Sequence, residues 1–358
     1  MDEKKVKNSL GLSRIAVPVV IGIAIVVWLM VKEIDASALS YLRITWTSIF
    51  WIWVAFLFVL SRTFFYVWRI RSLCDGNLSW MASLRIILLW EFTSAISPST
   101  VGGTALAVVF LNKEGISVGR STSVVLLTSF LDELYFVIVF PLLLPFTGMK
   151  ALFINSSEGS GSLLPNNLTT LAFIGYTIIL AWVLIVGYGL FINPVSIRKL
   201  LVYIFSLPVL KRWKNGAEKA GSDIVAASEE LRSKPKSYWF WAAVTTFMSW
   251  TLRYLIVNAI ILSFFDFGEH LVLFTRQLVL WIMMIISPTP GGSGFAEIIL
   301  GNYITDMIPA GQESARSISL TMAVIWRAIS YYPFLIAGAF VAPGWIQRKF
   351  IPSIAKKK

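Results

Sequence analysis

Cysteine and histidine are almost missing from this sequence: Cys74 and His270 are the only ones in 358 residues. That excludes a disulfide framework, a thiolate cluster and a multi-histidine metal site, and no metal or other cofactor is expected. Charge is scarce as well, at 14% of residues against 57% hydrophobic, with a mean hydropathy of +0.75. Such a chain does not dissolve as a globule, and its long apolar runs describe an all-α integral membrane protein. There is no Walker loop, dinucleotide fingerprint or His-Glu-x-x-His run, so nucleotide hydrolysis, hydride transfer and zinc proteolysis have no motif to rest on. The formal net charge is +12. Because the basic residues flank apolar spans, the expected anionic partner is a lipid surface and not nucleic acid.

Two stretches interrupt the apolar background. One runs Ile286-Ser287-Pro288-Thr289-Pro290-Gly291-Gly292-Ser293-Gly294-Phe295-Ala296-Glu297, and the other Ile96-Ser97-Pro98-Ser99-Thr100-Val101-Gly102-Gly103-Thr104. Each reads Ile-Ser-Pro, a short spacer, Gly-Gly and a hydroxyl residue. Proline removes a backbone donor and blocks the preceding helical turn, while glycine admits positive φ, so neither stretch reads as continuous helix. Paired breaks in corresponding halves of an apolar chain point to a transporter's binding site.

In chain order, a basic N-terminus precedes an apolar run at 15–31, read as a retained helix and not a signal peptide because its flank, Lys32, Glu33 and Asp35, suits cleavage poorly. Further full spans are expected at 48–68, 121–146, 168–191, 238–265 and 317–341. The pieces 81–112 and 271–308 hold the breaks, and arms shorter than about 20 residues suit re-entrant hairpins. Segment 193–236 mixes Arg198, Lys199, Lys211 and Arg212 with Leu200, Ile204 and Trp213. It reads either as amphipathic helix on an anionic lipid face or as a solvated basic linker. Basic loops set the orientation, placing both termini in the cytoplasm of a multi-pass plasma (inner) membrane protein. The expectation is one membrane domain, 1–358, with six full spans and two hairpins. Repeat 48–146 and repeat 238–341 both read span, hairpin, span in opposite sense, an inverted-topology repeat.

In that arrangement the tips meet, and Thr104 and Ser293 would cap arms whose free N–H groups face a shared cavity, a natural site for a phosphate. The candidate binding residues are Pro98, Gly102, Gly103, Thr104, Pro288, Pro290, Gly291, Gly292, Ser293, Gly294 and Arg327. The ionisable residues within spans, Glu91, Asp132, Glu133, Arg253, Arg276 and Glu297, mark a pathway by their cost in lipid. Two questions stay open at this level. Asp132 and Arg327 are either pathway charges or a buried pair, and Glu297 either caps its arm or carries a coupling proton.

These residues resemble a flippase-like membrane family that includes the transmembrane region of lysylphosphatidylglycerol synthases. Pro290-Gly291-Gly292-Ser293-Gly294, Glu297 and Arg327 match its C-terminal signature. Pro98, Gly102-Gly103, Gly115-Ile116-Ser117 and Asp132 match its N-terminal one. Arginines that many members carry after the first glycines and before the aspartate are replaced here, at Ala105–Ala107 and Ser129. No stretch reads as the soluble synthase domain, so the resemblance implies movement of a phospholipid or polyprenyl-phosphate-linked lipid without its synthesis. Two other classes remain open, an intramembrane lipid-diphosphate phosphatase using Ser287, Ser293, Glu297 and Arg327, and a non-catalytic membrane partner of a glycosyltransferase.

Overall fold

A computed structural model describes residues 42–97, 100–152, 168–206, 214–284 and 289–355. The expected first span at 15–31 lies outside the described residues, as do Pro98, Ser287 and Pro288. Among the described residues there is no strand. Apart from a single turn at Met149–Leu152, the helices are α1 (Trp46–Leu73), α2 (Trp80–Ile96), α3 (Thr100–Lys113), α4 (Val118–Thr147), α5 (Leu168–Phe191), α6 (Pro194–Ile204) and α7 (Lys214–Arg232). After them come α8 (Lys236–Leu262), α9 (His270–Met284), α10 (Phe295–Thr305), α11 (Gln312–Ser330) and α12 (Tyr332–Ala355).

Among the described residues five helical stretches are long and apolar enough to cross a bilayer: Trp46–Leu73, Val118–Thr147, Ala172–Phe191, Lys236–Leu262 and Ser314–Phe350. They fall where the apolar runs predict spans. Helix α1 shows how sequence sets such a span. Thr45 and Ser48 cap it reciprocally, with Thr45 Oγ1 accepting the Ser48 N–H at 3.2 Å and Ser48 Oγ accepting the Thr45 N–H at 3.1 Å. Its outer face leaves Phe50, Trp53, Leu57 and Leu60 exposed, as lipid tails require, while its inner face packs along α8.

The expected last span, 317–341, is not one uninterrupted helix. It divides at Tyr331, whose φ of −120° and ψ of −55° end α11. Pro333 in the first turn of α12 accounts for the break, because proline fits the start of a helix and disfavours helix before it. Helix α12 then packs on α2 and reaches the end of α3, where Glu114 accepts the Trp345 indole N–H at 2.7 Å and pairs with Lys349 at 2.9 Å.

Within 193–236, α7 turns Ala217, Gly221, Ile224, Ala227 and Leu231 inward against α4, α5 and α6. The small residues allow this close approach, so the protein itself covers the apolar stripe of α7. Nearby, Asp75 Oδ2 bonds Arg120 Nη2 at 2.5 Å and Lys234 Nζ at 2.6 Å, and Arg120 pairs with Glu230 at 2.7 Å. Burial alone would raise the Asp75 carboxyl, but the hydrogen bonds and charges of Lys234 and Arg120 hold it below its ordinary value. A depressed carboxylate adds stability above its unfolded value of about 3.9 and loses it as pH falls through the folded value. Asp75→Asn is therefore expected to lower stability at neutral pH by about 0.5 kcal/mol, because the pair is largely solvated. It should also flatten the fall in melting temperature below about pH 4. Melting curves between pH 3 and 7 check this, and parallel wild-type and mutant curves would refute it.

Candidate functional site

The second break is a turn and not a helix. Pro290–Gly292 form one 3-10 turn, and Gly291, Gly292 and Gly294 have φ of 57°, 69° and 82°. A Cβ on Gly291 would lie 2.2 Å from the Tyr331 hydroxyl oxygen and 2.8 Å from the Ala95 carbonyl oxygen. Only glycine meets both demands, left-handed backbone and no side chain. This turn rests against the end of α2: the Gly291 N–H donates to the Ser97 carbonyl at 3.4 Å, and the Tyr331 hydroxyl donates to the Ala95 carbonyl at 3.1 Å. The two breaks are therefore in direct contact.

Arg327 of α11 holds the turn from the other side. Its Nη2 donates to the Gly291 carbonyl at 3.1 Å and the Gly292 carbonyl at 3.2 Å, and its Nε lies 3.3 Å from Glu297 Oε1. Glu297 Oε2 accepts the Gly294 N–H at 2.8 Å, so this carboxylate caps α10 and neutralises Arg327 at once. Ser293 is not the cap; Gly294 is. Thr104 is not a cap either, because α3 starts at Thr100 and carries Gly102, Gly103 and Thr104 inside it. The role of Gly103 is close packing, since a Cβ there would lie 2.0 Å from Ser94 Oγ in α2. The start of α3 thus lies four residues before the expected cap, and at the start of α10 the carboxylate of Glu297 takes the Gly294 N–H.

A cavity of about 140 Å³ opens between the breaks. Glu91, Ser97, Arg253, Gly291, Gly292 and Arg327 are on its wall, together with Gln277, Trp281 and Tyr331. The buried charges sort into pairs: Arg62 with Glu91, Arg69 with Asp132, Arg276 with Asp306, and Arg327 with Glu297. Asp132 and Arg327 do not pair with each other. Asp132 instead ties α1, α4 and α8 together, accepting Arg69 at 2.5 and 3.2 Å and the Trp250 indole N–H at 2.7 Å. Arg276 clamps α9 to α10 through Asp306 at 2.7 and 2.8 Å. Neither Asp132, Glu133 nor Arg276 lines the cavity.

Glu133, off the cavity wall, has no ion-pair partner among the described residues, and among the charges on the wall the exception is Arg253. It lies over the Trp250 and Trp281 rings, at 5.2 and 5.3 Å, and no carboxylate among the described residues is within ion-pair distance. A guanidinium on the wall of a cavity, held by ring faces and hydrogen-bonded to Tyr66, has the charge and the donors to take up an anion. The phosphatase chemistry needs a base beside Ser293, but both oxygens of Glu297 are engaged. Sequence reasoning overlooked Arg62, which is 1% exposed. An arginine in the middle of the apolar run 48–68 was signal enough to find it. Gln277, Trp281 and Tyr331 carried no such mark.

These features define a multi-pass helical membrane protein whose two broken stretches enclose a charged cavity. Residues 15–338 match the lysylphosphatidylglycerol synthase TM region, and the chain belongs to that family. A UPF0104 membrane protein of Archaeoglobus fulgidus is 27% identical over 328 residues, covering 86% of this chain and 92% of the relative. No solved structure matches the chain.

Proposed function

We propose that this protein is a lipid translocase that carries a phosphate-bearing headgroup through the cavity between the two breaks while the acyl or prenyl tails stay in the bilayer. The observation that carries the reading is Arg253, a cation on the cavity wall with no carboxylate partner among the described residues. Arg327 supports the site differently. It is engaged by the Gly291 and Gly292 carbonyls and by Glu297, so it shapes the turn that the headgroup meets.

The reading takes 81–112 and 271–308 as re-entrant hairpins in an inverted repeat, with both termini in the cytoplasm and the basic face of 193–236 towards anionic lipid. Its support is that α2, α3, α9 and α10 have 17, 14, 15 and 11 residues, short of the roughly 20 of a full crossing, and that their breaks touch. Alternating access then follows from one hairpin moving against the other.

The test is Arg253→Gln in reconstituted vesicles of phosphatidylcholine carrying fluorescent phosphatidylglycerol. Losing a charge-assisted hydrogen bond of about 1.5–3 kcal/mol should slow transfer tenfold or more. The melting temperature should change little, because no carboxylate within ion-pair distance of Arg253 is left uncompensated. Transfer at the wild-type rate would refute the site.

A further inference from the structure

We propose that Glu91 is the proton-carrying carboxylate of this cavity, taking up one proton for each anionic headgroup that binds at Arg253; the inference rests on the translocase reading above. Among the described residues Glu91 is the one carboxylate on the cavity wall. Its Oε1 pairs with Arg62, while Oε2 has no hydrogen bond among the described residues. Its side chain is 26% exposed, against 1% for Arg62 behind it. Glu91 thus offers an open oxygen to the space a headgroup enters. The other buried carboxylates around this site do not. Glu297 is held by Gly294 and Arg327, Asp132 by Arg69 and Trp250, and Glu133 is off the wall.

The groups facing Glu91 are cationic or aromatic. Helix α1 presents Arg62, Tyr66 and Arg69, helix α8 presents Arg253 and Tyr254, and α11 presents Arg327. Tyr331 faces the cavity at the break between α11 and α12, with Tyr332 beside it; Gln277 of α9 does not titrate, and α3 holds no charged residue before Lys113. In the empty cavity Arg62, Arg253 and Glu91 leave one net positive charge. An entering monoanion brings a second negative group into the space that Glu91 shares, and two like charges there disfavour each other's ionised form. A proton from the aqueous side bonds to Glu91 Oε2, and the neutral carboxyl releases Arg62 to grip the phosphate with Arg253. The loaded site then has the same net charge as the empty one. Lipid anion and proton cross together and electroneutrally, and both leave on the far side, where Glu91 returns to Arg62.

The experiment uses the full chain in phosphatidylcholine vesicles with a trace of fluorescent phosphatidylglycerol, protein-free vesicles giving the background. With one proton per lipid, one unit of imposed pH difference should shift the leaflet ratio about tenfold towards the alkaline side. A potassium diffusion potential should leave that ratio unmoved. Glu91→Gln should abolish the response to the pH difference. Should Glu91→Gln alone fail to fold, Glu91→Gln with Arg62→Gln keeps the charge balance. Proton uptake by the wild type, read with an entrapped pH dye, gives an independent measure at one proton per lipid. Lipid transfer without proton flux, or a Glu91→Gln protein that follows the pH difference as the wild type does, overturns the coupling and leaves the translocase standing. Wild-type vesicles that move no lipid overturn both.

Discussion

Gly291→Val is expected to abolish lipid movement and to lower stability measurably. Its φ of 57° is left-handed backbone, which costs a β-branched residue on the order of 1–3 kcal/mol. A side chain there also meets the Tyr331 hydroxyl and the Ala95 carbonyl, at 2.2 and 2.8 Å from the Cβ. The second contact is backbone and cannot move aside as a flexible side chain does, so overpacking adds about 1–3 kcal/mol. The turn must then leave α2, taking with it the Gly291–Ser97 hydrogen bond that joins the two breaks. Gly292→Val should fold better, because the Cβ there meets Met284 Cε at 1.9 Å, the tip of a flexible side chain, although its φ of 69° is equally strained. Gly344→Ala is the control, since a Cβ in that part of α12 has nothing within 4 Å. Melting temperature and vesicle transfer, measured for all three, decide the matter. Full activity in Gly291→Val would mean that the turn does not border the transport route.

The second large effect concerns Arg327 and Glu297, buried at 6% and 2% exposure. Removing one partner of a buried pair leaves the other charge uncompensated, at about 3–5 kcal/mol. Arg327→Gln and Glu297→Gln should each lose roughly that much, and the double replacement should recover part of it, since glutamine at 297 can still accept the Gly294 N–H. Transport should not return in the double mutant, because the Gly291 and Gly292 carbonyls have lost the guanidinium that sets the turn. Single Glu297→Gln protein that retains transport should keep the wild-type pH profile, because both carboxylate oxygens are engaged and neither faces the cavity. A double mutant that regained both melting temperature and transport would reduce this pair to a structural tie.

Much of the architecture was written in local pattern. Apolar runs of span length became helices because backbone groups in lipid have no partner but one another, and five described stretches meet that requirement where hydropathy puts them. The Pro-Gly-Gly turn was equally legible, since glycine adopts its positive φ values without the steric cost of a side chain. The position of the last break was not, because it took the backbone at Tyr331 to show which of two adjacent tyrosines ends the helix before Pro333.

Charge pairing lay beyond the sequence altogether. Asp132 and Arg327 occupy comparable places in the two halves, and sequence order offers no reason to prefer Arg69 and Glu297 as their partners. Which arginine meets which carboxylate depends on how four helices rotate against each other, and that rotation is set by side-chain packing between residues far apart in the chain. The same packing left Arg253 over two tryptophans with no carboxylate, and left one oxygen of Glu91 open to the cavity. Sequence by itself determined that the protein spans a membrane, that its helices break at the Pro-Gly-Gly turn and that buried charge is present. Only the tertiary structure decided which of those charges are neutralised and which face the cavity, because ion pairing is a property of distance and not of order.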